Sequence, residues 1–439
     1  MKERDSLKID ENGHLTVGGC DVVRLRERYG TPLYILDEAD VRERAAAYRA
    51  ALSAYAGESL VLYASKALSC LAIYEIADEE GLGADVVSGG ELYTALEAGM
   101  PADKLYFHGN NKTPKEIEEG LRAGVHAFVS DTPSELSLID ALAREAGKKA
   151  PVMLRLNPGI EAHTHRFIQT ARVDSKFGFS MDDGAALAAV EQALSLPNLQ
   201  FLGIHCHIGS QIFELKPYGL SIRRMADFMR LLADKGIEVR ELNLGGGFGV
   251  TYTAADKPLS PQACAAFVVK EVTDALTKRQ LRLPKLLIEP GRSIVGEAGV
   301  TLYTAGAVKE IKGVKTYVSV DGGMFDNPRY ALYQAEYEAV PADRMREAPT
   351  ETVTLAGKCC ESGDMLVIDA KMPKLRRGDL VAVLTTGAYN YSMASHYNRN
   401  LVPPTVLVRD GCAQYIVRPE GYLDLTAKDE RLQKKKEKL

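Results

Sequence analysis

Between about residue 30 and residue 295, short apolar runs rich in β-branched residues alternate with longer segments of helical spacing. The longer segments, such as 68–80, 90–98, 133–146 and 218–235, have the periodicity of amphipathic helices. Strand–helix alternation predicts parallel βαβ units, and eight of them are what a closed (β/α)8 barrel requires. The eight predicted strands are 61–64, 84–87, 105–107, 127–129, 152–156, 201–205, 241–244 and 286–288.

The length of the chain fits one such barrel and one smaller domain. A (β/α)8 barrel takes about 250 residues, and the chain has 439. We predict an α/β, TIM-like barrel at 36–295, with an open doubly wound sheet as the alternative. From about 296 the pattern changes to short strand-like runs (300–303, 316–320 and 380–384) and Gly-rich turns. We therefore predict a mostly β domain at 296–439, completed by the N-terminal segment 1–35, which ends in a strand-like run.

Composition excludes several classes of function. Hydrophobic residues make up 46% and charged residues 26%, and the net charge is -5, which is typical of a soluble globular protein and offers no basic face for nucleic acid. No apolar stretch approaches the ~20 residues of a membrane helix, and the N-terminus has no apolar core of a secretion signal. Seven irregularly spaced Cys indicate a reduced, cytoplasmic protein. The basic run at 434–438 is predicted to be a solvated tail.

Chemically distinctive residues follow four of the predicted strands at their C-terminal ends, which is where barrels place catalytic groups. Convergence from strands far apart in the sequence is stronger evidence than any single motif. The residues are Lys66 after the first strand, His205 and His207 at the end of the sixth, Gly245, Gly246 and Gly247 after the seventh, and Glu289 and Arg292 after the eighth.

Each of these groups could contribute one function to the binding and use of a single cofactor. A Gly run lets backbone N–H groups approach a phosphate closely. Desolvation at a strand end is predicted to lower the pKa of Lys66 and free its amine for a Schiff base. Glu289 can pair with a protonated pyridine nitrogen, and Arg292 with a phosphate or carboxylate. Taken singly, the Gly run and the Glu–Arg pair fit a flexible loop and a structural ion pair equally well, and spacing alone favours an ordinary surface lysine for Lys66.

The segment His205-Cys206-His207 leaves a second reading open. Two His on one face of a strand are typical of the zinc pair of a barrel hydrolase. Such a site needs further ligands at other strand ends, for which His108 is the candidate. We predict no metal site, because the chain has no CxxC pair and few such ligands.

Eight short motifs together resemble the pyridoxal phosphate (PLP)-dependent decarboxylases of the alanine racemase-like fold, and among them the diaminopimelate decarboxylases. The resemblance extends over about residues 15–425, and the order and positions of the motifs make it highly specific. The motifs are Tyr63-Ala64-Ser65-Lys66-Ala67, Phe107-His108-Gly109-Asn110-Asn111-Lys112, Asp174-Ser175-Lys176-Phe177-Gly178, His205-Cys206-His207-Ile208-Gly209-Ser210-Gln211, Gly245-Gly246-Gly247, Glu289-Pro290-Gly291-Arg292, Cys360-Glu361-Ser362-Gly363-Asp364 and Gly387-Ala388-Tyr389.

The resemblance implies a role for each matching residue. Lys66 resembles the lysine that binds PLP, His207 the imidazole stacked on the cofactor ring, and Glu289 the partner of the ring nitrogen. Cys360 resembles a thiol that a second subunit contributes as a proton donor, which implies a homodimer with shared active sites. The implied contacts to the cofactor or its phosphate are Ser210, Gly245, Gly246, Gly247, Arg292 and Tyr389.

The segment Asn327-Pro328-Arg329-Tyr330-Ala331-Leu332-Tyr333 resembles the part of this family that recognises the substrate. Arg329, Tyr333 and Arg292, with Tyr389, are predicted to hold a distal carboxylate, and Glu361 the distal ammonium. A substrate with an amino acid head at its far end fits this pocket. The resemblance thus implies decarboxylation of meso-diaminopimelate to L-lysine and CO2, the last step of lysine biosynthesis.

Several alternatives remain at this point. A decarboxylase of ornithine, arginine or a carboxylated polyamine shares the cofactor motifs, but Arg329 and Tyr333 argue against simple diamines. A racemase and an inactive relative are disfavoured by Cys360-Glu361 and by the intact Lys66. One departure is Lys358-Cys359, where the family more often has Pro and an apolar residue, so the shape of this loop is in doubt.

Overall fold

The computed structural model describes residues 6–160 and 176–432. The strands in the described part of the chain are β1 (Leu7–Ile9), β2 (Leu15–Val17), β3 (Cys20–Asp21), β4 (Leu33–Asp37), β5 (Ser59–Ala64), β6 (Gly83–Val86), β7 (Leu105–Phe107), β8 (Ala127–Ser130), β9 (Ala150–Asn157), β10 (Phe179–Ser180), β11 (Leu199–Cys206), β12 (Glu241–Asn243), β13 (Lys285–Ile288), β14 (Gly299–Ile311), β15 (Lys315–Val320), β16 (Ala339–Pro341), β17 (Glu351–Ala356), β18 (Met365–Met372), β19 (Leu380–Leu384), β20 (Thr405–Arg409) and β21 (Cys412–Val417).

The α-helices of the same residues are α1 (Val22–Tyr29), α2 (Glu38–Leu52), α3 (Leu71–Glu79), α4 (Gly89–Glu97), α5 (Pro114–Ala123), α6 (Pro133–Glu145), α7 (Ala185–Ser195), α8 (Lys216–Asp234), α9 (Pro261–Lys278), α10 (Arg292–Val295), α11 (Arg329–Tyr333) and α12 (Tyr422–Thr426). Among the described residues, none of these helices combines the length and hydropathy needed to span a membrane.

The described chain folds into two compact units. The first comprises Asp37–Gly299 and the short stretch Thr385–Ser392. The second comprises Leu7–Leu36, Val300–Leu384 and the described residues from Met393 onward. The stretch Thr385–Ser392 lies in the range that the sequence had assigned to the β-rich domain, so the chain returns to the first unit after β19.

The first unit is a closed parallel barrel. Its strands pair in the order β9, β11, β12, β13, β5, β6, β7, β8, and β8 pairs again with β9. Every one of these pairings is parallel. The pairings β13–β5 and β8–β9 close the ring, so the predicted barrel is confirmed and the open-sheet alternative is wrong. Buried side chains from six strands form one cluster inside it: Leu62, Tyr106, Ala127, Val129, Met153, Leu202 and Leu287.

Three barrel helices begin in the same way, with a hydroxyl residue followed by proline. The N-caps of α5, α6 and α9 are Thr113, Thr132 and Ser260, and each side chain accepts a hydrogen bond from the backbone N–H three residues on. Proline at the first helical position has its φ angle already set and lacks an N–H that would have no partner there. Local sequence therefore fixes these helix starts, and with them the lengths of the loops that leave β7 and β8.

The second unit is mostly β. Its main sheet has the strand order β18-β17-β15-β14-β4-β20-β21, and β19 pairs with both β14 and β16. Strand β4, from the N-terminal segment, stands between β14 and β20. Leu15, Val17, Leu33 and Ile35 share one buried core with residues from beyond 300. The prediction that the N-terminal segment completes the β-rich domain is confirmed.

Candidate active site

The C-terminal ends of the barrel strands bring charged and polar side chains from most of the ring to one face. Because all the strands are parallel, these ends lie on the same side of the barrel. The residues concerned are Lys66 directly after β5, Asp85 in β6, His108 directly after β7, Arg155 in β9, His205 in β11, Asn243 in β12 and Glu289 directly after β13.

Lys66 lies in a short 3-10 turn that neighbouring β6 fixes in place. Ser65 N–H donates to Asp85 Oδ1 at 3.1 Å, and Ser65 Oγ donates to the backbone oxygen of Asp85. The prediction of a lowered amine pKa is wrong. Desolvation does lower the pKa of Lys66, but the charge of Asp85, followed by Tyr389 and Glu289, outweighs it and raises the pKa. The amine is therefore a cation in this structure.

Glu289 is a buried carboxylate surrounded by nitrogen atoms. Asn243 Nδ2 donates to Oε1 at 2.7 Å, and His205 Nε2 lies 3.3 Å from Oε2. His108 Nε2 lies 2.9 Å from Oε1. Burial alone would raise the pKa of Glu289, but the two histidines hold it well below its usual range. Glu289 is therefore ionised at neutral pH although water is excluded from it.

His207 is held as a neutral imidazole. Gly246 N–H donates to His207 Nδ1 at 3.2 Å, which leaves the ring proton on Nε2. Burial, together with the nearby positive charges of Lys66 and Arg155, lowers the pKa of His207 well below its usual value. A neutral imidazole whose Nδ1 already accepts a hydrogen bond suits stacking against a planar group.

The glycine turn after β12 leaves no space for side chains. Gly245 and Gly247 have φ angles of 66° and 101°, which favour glycine. A Cβ on Gly246 would lie 1.9 Å from the backbone oxygen of Glu289, and one on Gly247 would lie 2.1 Å from that of Gly209. The turn can pack this closely against its neighbours only without Cβ atoms.

Arg292 is clamped by hydroxyl and aromatic groups. Its Nη1 donates to Tyr252 Oη, and its Nη2 donates to Ser210 Oγ at 3.0 Å. The guanidinium lies 4.5 Å from the ring centre of Tyr389, whose backbone N–H donates to Ala67 O at 2.8 Å. Arg292 Nε is buried without a hydrogen-bond partner among the described residues. One donor of this cation thus remains available to a ligand.

Cys360 and Glu361 belong to the second unit and are exposed there. Cys360 N–H donates to Asn398 Oδ1 at 2.7 Å, which fixes the backbone of the loop but leaves the thiol accessible.

Arg329 and Tyr333 begin and end α11, also in the second unit. Four residues apart on a helix, their side chains lie on one face. Arg329 is buried, and its Nη1 donates to Tyr337 Oη at 2.6 Å. Tyr333 is half-buried. These two predicted substrate contacts are therefore neighbours, within their own unit.

Asp364 anchors the loop that carries the two adjacent cysteines. It accepts the backbone N–H of Cys359 at 2.7 Å and that of Met324 at 2.6 Å. Desolvation and the charge of Asp364 raise the pKa of the Cys359 thiol to about 12. Of the two thiols, Cys360 is the exposed one, so the departure at Lys358-Cys359 leaves the predicted reactive thiol accessible.

Two predicted features fall partly or wholly outside the described residues. Asp174 and Ser175 of one family motif lie there, as does the basic run 434–438. The same motif ends inside the described chain, where Gly178 N–H donates to Asp131 Oδ1 at 2.9 Å.

The two histidines considered for zinc have separate partners. His207 accepts from Gly246, whereas His205 faces Glu289 together with His108. The ligand atoms of His108, His205 and Glu289 lie within 4.8 Å of one another, so this trio, without His207, has the spacing of a metal site. His205 and His207 therefore do not form the pair that the zinc alternative required.

Sequence reasoning missed several residues that position the predicted ones. Asp85 sets the charge of Lys66, Asn243 binds Glu289, Tyr252 binds Arg292, and Asp364 holds the Cys360 loop. Asn243 carried a usable signal, since it lies near the C-terminal end of the predicted strand 241–244, and Asp85 is a charged residue inside the predicted strand 84–87. Tyr252 and Asp364 lie in loops whose partners only the folded structure reveals.

Known proteins resemble this chain over almost all of its length. Residues 38–296 match the family described as pyridoxal-dependent decarboxylase, pyridoxal binding domain. The chain is 47% identical to diaminopimelate decarboxylase of Bacillus subtilis, covering 96% of both chains, and 46% identical to that of Halalkalibacterium halodurans, covering 98% of both. The structure matches that of diaminopimelate decarboxylase from M. jannaschii in complex with L-lysine, with a TM-score of 0.91, 36% identity and 98% coverage of both chains. The chain therefore belongs to the diaminopimelate decarboxylase family of PLP-dependent enzymes.

Proposed function

We propose that this enzyme decarboxylates meso-diaminopimelate to L-lysine and CO2, with PLP bound through Lys66. The observation that carries the proposal is the strand-end cluster in which a lysine amine and a buried, ionised Glu289 lie at the same face of the barrel. The shared family and the names of its relatives support the choice of substrate. The reaction would complete lysine biosynthesis.

The described residues fit PLP. Arg292 has a buried Nε without a partner, and a phosphate is the kind of group that completes such a site. The glycine turn has no room for a Cβ and brings its backbone close to neighbouring groups. We propose that the phosphate and ring of PLP would be held by Ser210, Gly245, Gly246, Gly247, Arg292, Tyr389 and His207. The amine of Lys66 would bond to the aldehyde carbon of PLP, with the aldehyde oxygen released as water.

PLP supplies an electron sink for the pair left behind when the carboxylate departs. The residues of this chain support that chemistry through their own protonation states. Ionised Glu289 would favour a proton on the ring nitrogen, because a carboxylate near that atom stabilises the protonated form. Neutral His207 would cover a ring face without adding charge. Lys66 begins as a cation beside Asp85, so its Nζ must lose a proton before it can act as a nucleophile.

We propose that the second unit supplies the remaining chemistry. Arg329 and Tyr333, one helical turn apart, would bind the distal carboxylate together with Arg292 and Tyr389. Exposed Glu361 would bind the distal ammonium, and the Cys360 thiol would return a proton to the product. Such a pocket discriminates against ornithine, because ornithine lacks the distal carboxylate that Arg329 would bind.

We further propose that the enzyme is a cytoplasmic homodimer in which Cys360 and Glu361 of one subunit complete the active site of the other. Their exposure in the second unit supports this arrangement, since an exposed thiol is free to meet another subunit. No nucleic acid takes part, in keeping with the net charge of -5.

The first test is product formation by the purified protein with PLP. We expect lysine and CO2 from meso-diaminopimelate and no turnover of ornithine, arginine or lysine offered separately. Lys66→Ala is the control, and it should abolish turnover because no other residue would bond the cofactor. Turnover of ornithine or arginine would be consistent with Lys66 as the residue that binds PLP. It would contradict the proposal that Arg329 and Tyr333 bind a distal carboxylate. A colourless, chelator-sensitive protein would instead favour a metal hydrolase built on His108, His205 and Glu289.

A further inference from the structure

The Glu289 carboxylate has three nitrogen-bearing side chains around it, more than are needed to pair it with the ring nitrogen of a cofactor. Besides the hydrogen bond from Asn243, it faces two imidazoles, with His108 Nε2 at 2.9 Å and His205 Nε2 at 3.3 Å. All the side chains concerned are buried, and the two imidazole rings meet edge to face with their centres 4.8 Å apart. The carboxylate therefore has little freedom to rotate.

The position of the proton on the His205 imidazole follows from the surroundings of the ring. Burial lowers the pKa of His205 to about 4, so the ring is neutral at physiological pH and carries one proton. His205 Nδ1 is buried and has no hydrogen-bond partner among the described residues, whereas Nε2 faces an ionised carboxylate. The single proton therefore belongs on Nε2.

A neutral donor differs in its effect from a cation at the same place. A lysine or arginine beside Glu289 would neutralise the carboxylate and compete with any other positive group for it. A neutral N–H orients the carboxylate and stabilises its charge but leaves the net negative charge in place. His108 Nε2 lies 2.9 Å from the other oxygen, Oε1, but without the alignment of a hydrogen bond. His205 thus complements Asn243 without cancelling the charge, and the ring of His108 packs against His205 and lies close to the carboxylate.

Resting on the role proposed above for Glu289, we propose that His108 and His205 are positioning residues that hold the Glu289 carboxylate in one orientation as the acceptor for the cofactor's ring N–H. They touch neither substrate nor reacting atoms in this scheme. Their function is to keep the negative charge in line with the ring nitrogen while the electron pair is taken up by the ring.

The test compares variants that keep or remove the N–H donor. In His205→Phe the ring remains but the donor is lost, whereas His205→Gln retains a donor. Loss of a hydrogen bond to a charged group is expected to lower kcat by about 10- to 100-fold, with KM for meso-diaminopimelate changed less than about 3-fold because the substrate contacts are intact. His205→Gln should recover most of the lost kcat. His108→Phe removes and His108→Gln keeps a polar nitrogen at the 2.9 Å contact with Oε1, and this pair should change kcat in the same direction.

Two measurements other than turnover read the same effect. The absorbance spectrum of bound PLP reports the protonation of its ring, and titration of PLP into the apoprotein gives its dissociation constant. We expect the Phe variants to shift the spectrum and to bind PLP at least about 10-fold more weakly, and the Gln variants to resemble the unmodified protein.

A matched control lies at the N-terminal end of the same barrel. His126 Nε2 lies 2.7 Å from Glu241 Oε1, which makes another histidine–carboxylate pair, and Glu241 begins the strand that Asn243 ends. His126→Phe should lower the unfolding temperature without changing the PLP spectrum or kcat. If the His108 and His205 variants behaved like His126→Phe, with an unchanged spectrum and kcat, the positioning role would be overturned while the proposed function stood. If the unmodified protein bound PLP but did not decarboxylate meso-diaminopimelate, the proposed function would fail instead.

Discussion

The charge of Lys66 is decided by residues outside its own strand. A lysine in a barrel mouth loses hydration, which by itself favours the neutral amine. Asp85 on the adjacent strand reverses this outcome, because its carboxylate stabilises the cation. Burial and the charge of Glu289 in turn raise the pKa of Asp85, whereas the charge of Lys66 lowers it, so the protonation of Asp85 depends on both neighbours. The Lys66 amine is thus protonated beside the carboxylate of Asp85.

The two adjacent cysteines provide a prediction at the same scale. Cys360→Ala should lower kcat by about 100-fold or more, because it removes the proposed general acid. Cys359→Ala should change kcat by less than about 3-fold, since its thiol has a pKa raised to about 12 and lies beside Asp364. Steady-state kinetics with meso-diaminopimelate measure both effects.

Thermal unfolding of the two cysteine variants is the control, because similar unfolding temperatures would exclude a general loss of structure. A larger fall in kcat for Cys359→Ala than for Cys360→Ala would contradict the assignment of Cys360 as the acid.

At the scale of elements, the glycine turn between β12 and α9 joins two parts of the site. Gly246 N–H binds His207, and its Cα faces the backbone of Glu289. Glu289 N–H in turn donates to Gly245 O at 2.8 Å. The strand end that carries Glu289 and the turn proposed to hold phosphate are therefore fixed to each other through the backbone, so a change in one must displace the other.

We predict that Gly246→Ala weakens PLP binding by at least about 10-fold, because overpacking of about 1–3 kcal/mol must be relieved by moving the turn or Glu289. Its Cβ would lie 1.9 Å from the Glu289 oxygen. Titration of PLP into the apoprotein measures the effect. Gly421→Ala is the control, since the nearest atom to its Cβ is 3.8 Å away and its φ of -116° suits any residue. Unchanged PLP affinity in Gly246→Ala would refute the proposed part of this turn in binding.

The elements themselves were largely predictable, whereas several relations between them were not. The eight barrel strands follow from apolar runs, and helix starts such as Thr113-Pro114 from local capping. The roles of Asp85 and Asn243 depend on which strands are neighbours in the closed ring, and that pairing is not encoded locally. For the same reason the pKa of Lys66 was predicted in the wrong direction, because only its own desolvation was considered.

At the scale of the whole molecule, the chain passes between its two units more than once. The N-terminal segment contributes β4 to the second unit, and Thr385–Ser392 returns to the first. This return brings Tyr389 to Arg292, with a φ of 63° that is uncommon for a residue other than glycine. The hydrogen bond from its N–H to Ala67 O links it to the turn that carries Lys66. A C-terminal segment thus supports the barrel site, which sequence order alone does not suggest.

The proposed sharing of active sites predicts that two inactive variants restore activity when they are combined. Lys66→Ala and Cys360→Ala each disable both sites of their own homodimer. In a mixed dimer, one site receives intact Lys66 from one subunit and intact Cys360 from the other, so half of the sites recover. Random mixing makes half of the dimers mixed, and the recovered activity should be about a quarter of that of the unmodified protein. Co-expression with two affinity tags isolates the mixed dimers and measures their activity directly. Mixed dimers without activity above that of the two parent variants would show that Lys66 and Cys360 must come from the same chain, and a monomeric protein in solution would exclude the shared site altogether.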